Sequence, residues 1–515
     1  MHRHVALVAF MLVALLLGGC ATSAVVMAPD SPDRPWTPTT GPDGEIIAGE
    51  GPPPAQPQNS TYVLPSNREL ANTPLPWIDL ERGSAYSLPE LIDIAESSNP
   101  ATRNAWNDAR HAALAAGIVE STFLPMVSAG IVEGYQKFHN ETPLGSNDFE
   151  LNGNISVLSI QWLLFDFGKR EALLDVAKQG SAISNIAFTA AHQLVIYNVS
   201  LAFYADAAAR AHVASATKSL RDAEEVQAAA EDRYKRGIGT VVEVAQTRQA
   251  TAEARLARIQ AEGAAQNAYL ALITAIGISP TTKLKIADIS RRKLSSSMIG
   301  PIERFVSAAL ARRPDVLTGY AALQASLANL RAAQAEFLPK IFFAGNGTRA
   351  SGNLSISAIP GIDQQLPIVN LPQTQLGVSQ TQLGVTALIG ATVPLYDGGS
   401  RAALLEQARD RVDKAETSLA QIRNEAVRQI VAASNTLKTS LAAYGASTVL
   451  AAAAQTTFNS ALAAYRNGVG SITDVTIAER QLLAAKNSAT DAYSTALSAA
   501  ASLALAAGAL GGPPG

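Results

Sequence analysis

Tyr234-Lys235-Arg236-Gly237-Ile238-Gly239-Thr240 returns 231 residues later as Tyr465-Arg466-Asn467-Gly468-Val469-Gly470-Ser471. The same offset carries Leu164-Phe165-Asp166 onto Leu395-Tyr396-Asp397, so the stretch from Asp166 to Tyr234 is repeated without net insertion, as a spacer of fixed length would be. Upstream landmarks keep a different offset. Asn99-Pro100 against Arg313-Pro314, and Phe123-Leu124-Pro125 against Phe337-Leu338-Pro339, lie 214 residues apart. The difference of 17 residues falls in a segment that tolerates insertion, as loops do.

The fixed-length stretch reads as helix. Leu173, Val176, Gly180, Ile183, Ala187, Ala190, Leu194, Tyr197, Leu201 and Tyr204 alternate steps of three and four, which is a heptad seam; Leu405, Ala408, Val412, Ala415, Leu419, Ile422 and Ala426 repeat it. An unbroken helix of about 67 residues is on the order of 100 Å long at 1.5 Å per residue. A generic fibrous coiled coil would account for the seam but not for the segments before it, which have period two. From Gln382 to Leu395 one face carries Leu383, Val385, Ala387, Ile389, Ala391, Val393 and Leu395, and the other Gln382, Gly384, Thr386, Leu388, Gly390 and Thr392. The first copy, Leu151 to Phe165, is similar, and partner strands are expected after Pro125 and Pro339, across loops centred near Asn140 and near Ile359 to Gln373. A soluble sandwich strand can alternate in this way, and so can a membrane barrel strand of about ten residues. Two hairpins give four strands per chain, whereas a closed membrane barrel needs about eight or more. An open edge in lipid leaves backbone groups unpaired at several kcal/mol each, so a barrel must be shared between chains. Two, three or four copies would supply about 8, 12 or 16 strands, and the pattern does not choose among them.

Composition agrees with a mainly α chain carrying a small β part and long coiled-coil helices. With 16% charged and 6% aromatic residues in 515, the excess of alanine suits long, closely packed helices. A net charge of -3 leaves no basic stripe for nucleic acid. The one cysteine closes a leader, with His2, Arg3 and His4 before an apolar run from Val5 to Leu17 and then Leu17-Gly18-Gly19-Cys20. This resembles a lipobox, with residues 1–19 a lipoprotein signal peptide and Cys20 the lipidated N-terminus; the bland alternative is an ordinary cleaved leader with an incidental cysteine. Ala21 is not the aspartate that commonly marks inner-membrane retention, so the outer membrane is favoured. Residues 20–80 form a proline-rich, lipid-anchored linker. Residues 81–300 and 301–510 are the two repeats.

Each long helix ends at a glycine turn. Gly237 and Gly468 suit a left-handed C-cap, Gly239 and Gly470 complete the turns, and Thr240 and Ser471 can cap the next helix with Glu243 and Asp474 three residues on. In an oligomer these turns lie roughly 100 Å from the sheet and form a far mouth.

The order helix, two strands, unbroken long helix, Tyr-x-x-Gly-x-Gly-like turn and returning helix, present twice between about Ser87 and Leu505, resembles the TolC-type outer-membrane efflux proteins. The resemblance implies a homotrimer with a shared 12-stranded barrel continuous with a periplasmic helical tunnel, in which the long helices run antiparallel and form a helical barrel. It implies docking of the tip turns, Gly237, Gly239, Thr240, Gly468, Gly470 and Ser471, to a periplasmic adaptor that links an inner-membrane pump. The lipidated N-terminus resembles the branch serving resistance-nodulation-division tripartite pumps. Asp474, four residues after Gly470 and followed by Val475, matches a position at which acids ring the tunnel in that family, with Glu243 its equivalent in the first repeat; Ile477 stands where some members carry a second acid. An ordinary solvated carboxylate at a helix start is the competing reading of both.

The expected function is a passive exit duct across periplasm and outer membrane, with no enzyme activity and no cofactor. There is no phosphate loop or nucleophile motif, and His111, His139, His192 and His212 have no spacing typical of a metal site. The outer-membrane part of a type I protein secretion system, and a non-conducting lipid-anchored envelope protein, remain as alternatives.

Overall fold

A computed structural model describes residues 27–28, 39–48, 64, 66–72, 85–142, 145–289, 294, 302–356, 376–378 and 382–511. The leader and Cys20 lie outside the described residues. The chain divides into two units, Met1–Leu80 and Glu81–Gly515. In the first, a turn is closed by a bridge between Thr40 and Ile46, and the Arg68 amide donates to the Asp43 carbonyl at 2.8 Å. A short helix follows, α1 (Arg68–Asn72), its first amides held by Asn67 Oδ1. The linker is thus not wholly without structure.

The second unit holds both repeats. It opens with β1 (Ala85–Tyr86), α2 (Leu88–Ser98) and α3 (Pro100–Ser121), followed by β2 (Met126–Thr142), β3 (Gly145–Phe165), α4 (Lys169–Lys235) and α5 (Val241–Ile276). After β4 (Lys285–Ile286), which pairs parallel with β1, come α6 (Ile302–Leu310), α7 (Pro314–Ala335), β5 (Lys340–Ile356), β6 (Leu376–Val378) and β7 (Gln382–Thr392). The chain ends on α8 (Ser400–Arg466) and α9 (Ile472–Ala506). The molecule is mainly helical with a small strand part, and α4 and α8 are each 67 residues long.

Asn99-Pro100 and Arg313-Pro314 recur because they do the same work. Each proline starts a helix where its missing N–H costs nothing. The side chain before it reaches the end of that repeat's last helix, Asn99 Nδ2 donating to the Ala275 carbonyl at 2.9 Å and an Arg313 guanidinium nitrogen to the Ala506 carbonyl at 2.8 Å. Gly277 follows the first of these acceptors with φ +86, and a Cβ there would stand 2.8 Å from Asn99 Cα.

The passage from sheet to long helix uses a second repeated device. Asp166 accepts from the Arg170 backbone amide and from its side chain, at 2.9 and 3.1 Å on Oδ2. The Arg170 guanidinium also donates to the Thr122 and Leu164 carbonyls and lies over the Phe123 ring. Asp397, Arg401, the Pro394 carbonyl and the Phe337 ring repeat the arrangement. The Phe-Leu-Pro and Leu-Phe/Tyr-Asp landmarks are therefore two halves of one corner.

The long strands pair antiparallel in the order β2-β3-β5-β7, and among the described residues β2 and β7 have no further partner on their outer sides. The sheet also contains the three-residue β6 against the end of β5, a strand the fourfold count from sequence omitted. The first hairpin is longer than expected. Asn140 is paired with Asn147 inside the ladder rather than sitting in a loop, since β2 runs on to Thr142 and β3 starts at Gly145. The second loop, residues 359–373, lies outside the described residues.

The heptad reading was right in period for both helices but right in face for only one. Ala408 and Ala426 of the second seam are buried. On α4, Leu194 is 51% exposed, and the buried line runs instead through Ile196, Val199, Phe203, Asp206, Leu220, Ala223, Val226 and Ala230. Helices α3, α5, α7 and α9 all pack against α4, so its apolar positions are distributed around the cylinder and no single seam is privileged.

Candidate functional site

The two tip turns are built alike. Gly237 and Gly468 have φ of +72 and +78, the left-handed conformation a side chain resists. Two amides then converge on one carbonyl: Ile238 and Gly239 donate to the Arg233 carbonyl, and Val469 and Gly470 to the Ala464 carbonyl. The second glycine of each turn is required by space. A Cβ on Gly239 would stand 2.9 Å from the Tyr234 nitrogen, and one on Gly470 2.9 Å from Ala464 Cβ. Thr240 and Glu243 form a complete capping box, the Glu243 amide donating to Thr240 Oγ1 at 3.2 Å and the Thr240 amide to Glu243 Oε2 at 2.9 Å. Asp474 is one methylene shorter, and its carboxylate accepts from the Ser471 hydroxyl at 2.8 Å instead.

Around the turns the repeats part company. Tyr465 is fully buried while its counterpart Tyr234 is 51% exposed. Tyr465 packs with Val226 and Ala230 of α4, Phe458 of α8, and Ile472, Val475, Ala478 and Leu482 of α9, so the second hairpin is seated on the first. Arg233, which replaces Ala464 of the other repeat, lies over the Tyr465 ring and donates to its carbonyl at 3.3 Å. Burial raises the Tyr465 phenol above its ordinary value, the Glu243 charge adding to this and Arg233 opposing it. Ile238, Val241, Val242 and Val469 stand exposed around the turns. Asp474 is exposed and Glu243 half-buried, on equivalent positions of different hairpins, and Ile477 is 48% exposed.

The sequence pattern did not single out Glu479 of α9, which is 6% exposed and accepts from Ser219 Oγ of α4 at 3.0 Å. The spacing carried a signal, since Glu479 falls four residues after Val475 and three before Leu482 on the apolar face of α9. Among the described residues no group of three or more His, Cys, Asp and Glu could hold a metal ion. His192 meets Glu96 and His212 meets Asp491, one carboxylate each.

At the opposite end the sheet presents two unlike faces. Paired residues share a face, which places Val127, Ala129 and Ile131 with Leu158, Ile160 and Trp162, then with Ile341 and Phe343, then with Leu383, Val385, Ala387, Ile389 and Ala391. Leu383, Val385, Ile389 and Ile131 are each at least 74% exposed. The reverse face carries Ser128 hydrogen-bonded to Ser159, and Asn346 and Thr348 opposite Thr386 and Gly384. Eleven residues of β7 at about 3.4 Å each, tilted by about 40°, rise about 28 Å, close to the apolar band of a membrane barrel.

Residues 91–278 and 305–509 match the family model described as outer membrane efflux protein. Among curated proteins the chain is 26% identical over 346 residues to Protein CyaE of Bordetella pertussis (strain Tohama I), covering 67% of each. It is 27% identical over 228 residues to the cation efflux system protein CusC of Escherichia coli (strain K12), covering 43% of this chain and about half, 48%, of that relative's length. A solved CusC structure, described in connection with transmembrane channel formation, superposes with a TM-score of 0.67 at 21% identity, over 82% of this chain and 91% of that one.

Proposed function

The chain belongs to the outer membrane efflux protein family, and from that premise we propose that it is the outer-membrane duct of a tripartite efflux system, a passive exit for small molecules and not an enzyme. The observation that carries the reading is the sheet: one largely apolar face, exposed on β2, β3 and β7, two edges unpaired among the described residues, and a direct junction to helices of 67 residues. Unpaired edges cannot remain in hydrocarbon, and antiparallel edges β2 and β7 can pair with those of neighbouring copies. Three copies supply the 12 long strands of a barrel, with their helical hairpins continuing it as a coiled-coil tunnel toward the periplasm. Likeness to a protein named for cation efflux supports small solutes over polypeptides as cargo.

The remaining roles fit this frame. Residues 1–19 are a signal peptide, Cys20 is lipidated, residues 20–80 tether, and residues 81–300 and 301–510 are the repeats. The exposed apolar residues around Gly237, Gly239, Thr240, Gly468, Gly470 and Ser471 offer an adaptor a docking surface with little desolvation cost, and through the adaptor the inner-membrane pump is engaged. Three copies of Asp474 near a symmetry axis would attract cations and repel one another, with Glu243 in support. The test is a single image of the detergent-solubilised protein together with conductance in planar bilayers. A trimer with an axial pore and defined, cation-biased channels is expected. A soluble monomer, or a trimer without conductance, would return the chain to the class of envelope braces.

A further inference from the structure

The seam between α4 and α9 joins the first hairpin of one chain to the second, and it holds a carboxyl group that neither the turns nor the sheet uses. Glu479 lies between Ala478 and Leu482 of the tip cluster and is 6% exposed. Its one hydrogen bond comes from Ser219 Oγ across the seam, and among the described residues no cationic nitrogen lies within 4.0 Å of it. The surrounding charges are engaged with one another. From α4, Lys218 donates to both oxygens of Asp222 at 2.9 Å, and the Asp222 charge faces Glu479. On α9 itself, Arg480 lies 3.7 Å from Glu253 of α5, and Lys486 faces Lys218 and Asp222. Toward the tip Arg466 of α8 pairs with Glu225, and away from it His212 pairs with Asp491. Burial pushes the Glu479 carboxyl up to about 7; the Ser219 hydrogen bond opposes this, Asp222 adds to it and Arg480 opposes it.

We propose that Glu479 is a proton-operated clasp between the two hairpins of each chain: neutral, it lets α4 and α9 close over it, and ionised, it draws water into the seam and parts them. The physical reason is that an unpaired carboxylate is costly out of water, whereas a carboxylic acid with a hydroxyl partner is not. The sign follows from linkage. The closed seam holds a proton that a solvated carboxyl releases near 4.5, so the clasp contributes fully below that pH and is lost as pH rises through about 7. Between those limits the ratio of closed to open seam falls about tenfold per pH unit. For the assembly this rests on the duct reading, in which a parted seam near the tip widens the periplasmic mouth.

The experiment uses the full-length protein in detergent, with nitroxide labels at Ala214→Cys on α4 and Gln481→Cys on α9, diluted with unlabelled chains. Both positions are exposed. The distance distribution should lengthen between pH 4.5 and about 7, with little further change to 8.5, in the parent and stay short in Glu479→Gln, which is isosteric and permanently neutral. Ser219→Ala, which removes the one hydrogen bond of the closed carboxyl in either protonation state, should favour the parted seam and move the transition to lower pH. Distances that do not change with pH, or that change equally in Glu479→Gln, overturn the clasp. Conductance recorded over the same range should rise with pH in the parent and stay flat in Glu479→Gln. Titrating distances without channels at any pH would sink the duct reading and leave the clasp standing.

Discussion

Replacing Arg170 by methionine tests whether the corner between β3 and α4 is held as described. The Arg170 side chain is 9% exposed, and losing its guanidinium leaves the carboxylate of Asp166, whose side chain is 6% exposed, with the Arg170 backbone amide for a partner. It also removes the donors to the Thr122 and Leu164 carbonyls at 2.9 and 3.3 Å. Removing one member of a buried pair costs about 3–5 kcal/mol. The low end, about 3 kcal/mol, is the working figure, because the methionine keeps the aliphatic contact with Phe123 and water can reach a corner near the membrane surface. Every 1.4 kcal/mol is tenfold in an opening equilibrium, so hydrogen exchange at residues 168–173 should speed up about a hundredfold. Trp162, whose indole donates to the Phe123 carbonyl at 2.8 Å, supplies a second reporter, and its emission should shift to the red. The equivalent change Arg401→Met should accelerate exchange less, because the Asp397 side chain is 31% exposed and water can replace the lost partner. Exchange within about threefold of the parent in Arg170→Met, or a larger effect at Arg401, would mean that the guanidinium does not hold the corner.

The tips offer four further tests. Gly470→Ala should loosen the second turn more than Gly445→Ala disturbs mid-helix α8, where nothing lies within 4 Å of a new Cβ; the rate of limited proteolysis near residue 468 reads the difference. Thr240→Ala removes the capping box and should cost about 1 kcal/mol, seen as roughly fivefold faster exchange over residues 241–244 with no change at the other tip. Asp474→Ala should lower the cation bias of single channels, and unchanged selectivity would leave Asp474 an ordinary helix-start carboxylate. Glu243→Gln, which keeps a side chain able to accept from the Thr240 amide, should preserve the first tip's fold and so separate a loss of charge from a loss of cap.

The correspondence between sequence and structure is uneven for physical reasons. Glycine turns and caps depend on neighbours three or four residues away, so Gly237, Thr240 and Glu243 were legible one by one, whereas Pro100 stood only as a landmark of the repeat until the helix it starts was seen. Period two located β7 and its apolar face, but not the true reach of β2 and β3, since a ladder continues wherever two edges keep pairing, whatever their composition. The Asp166–Arg170 and Asp397–Arg401 spacings were in plain view at i and i+4, and their use in holding the corner became evident only when Phe123 and Phe337 arrived from distant segments.

By itself the sequence determined the duplicated plan, the length of the two rods, the chemistry of their turns and the alternation that makes one sheet face apolar, because each is written in short-range spacing. Packing between the hairpins settled which of two equivalent tyrosines is buried, Tyr465 and not Tyr234, and closed α4 over Glu479. The two hairpins are alike in sequence but not in surroundings, one being packed on several sides and the other on fewer. Burial, and with it the cost of a charge, is set by those surroundings.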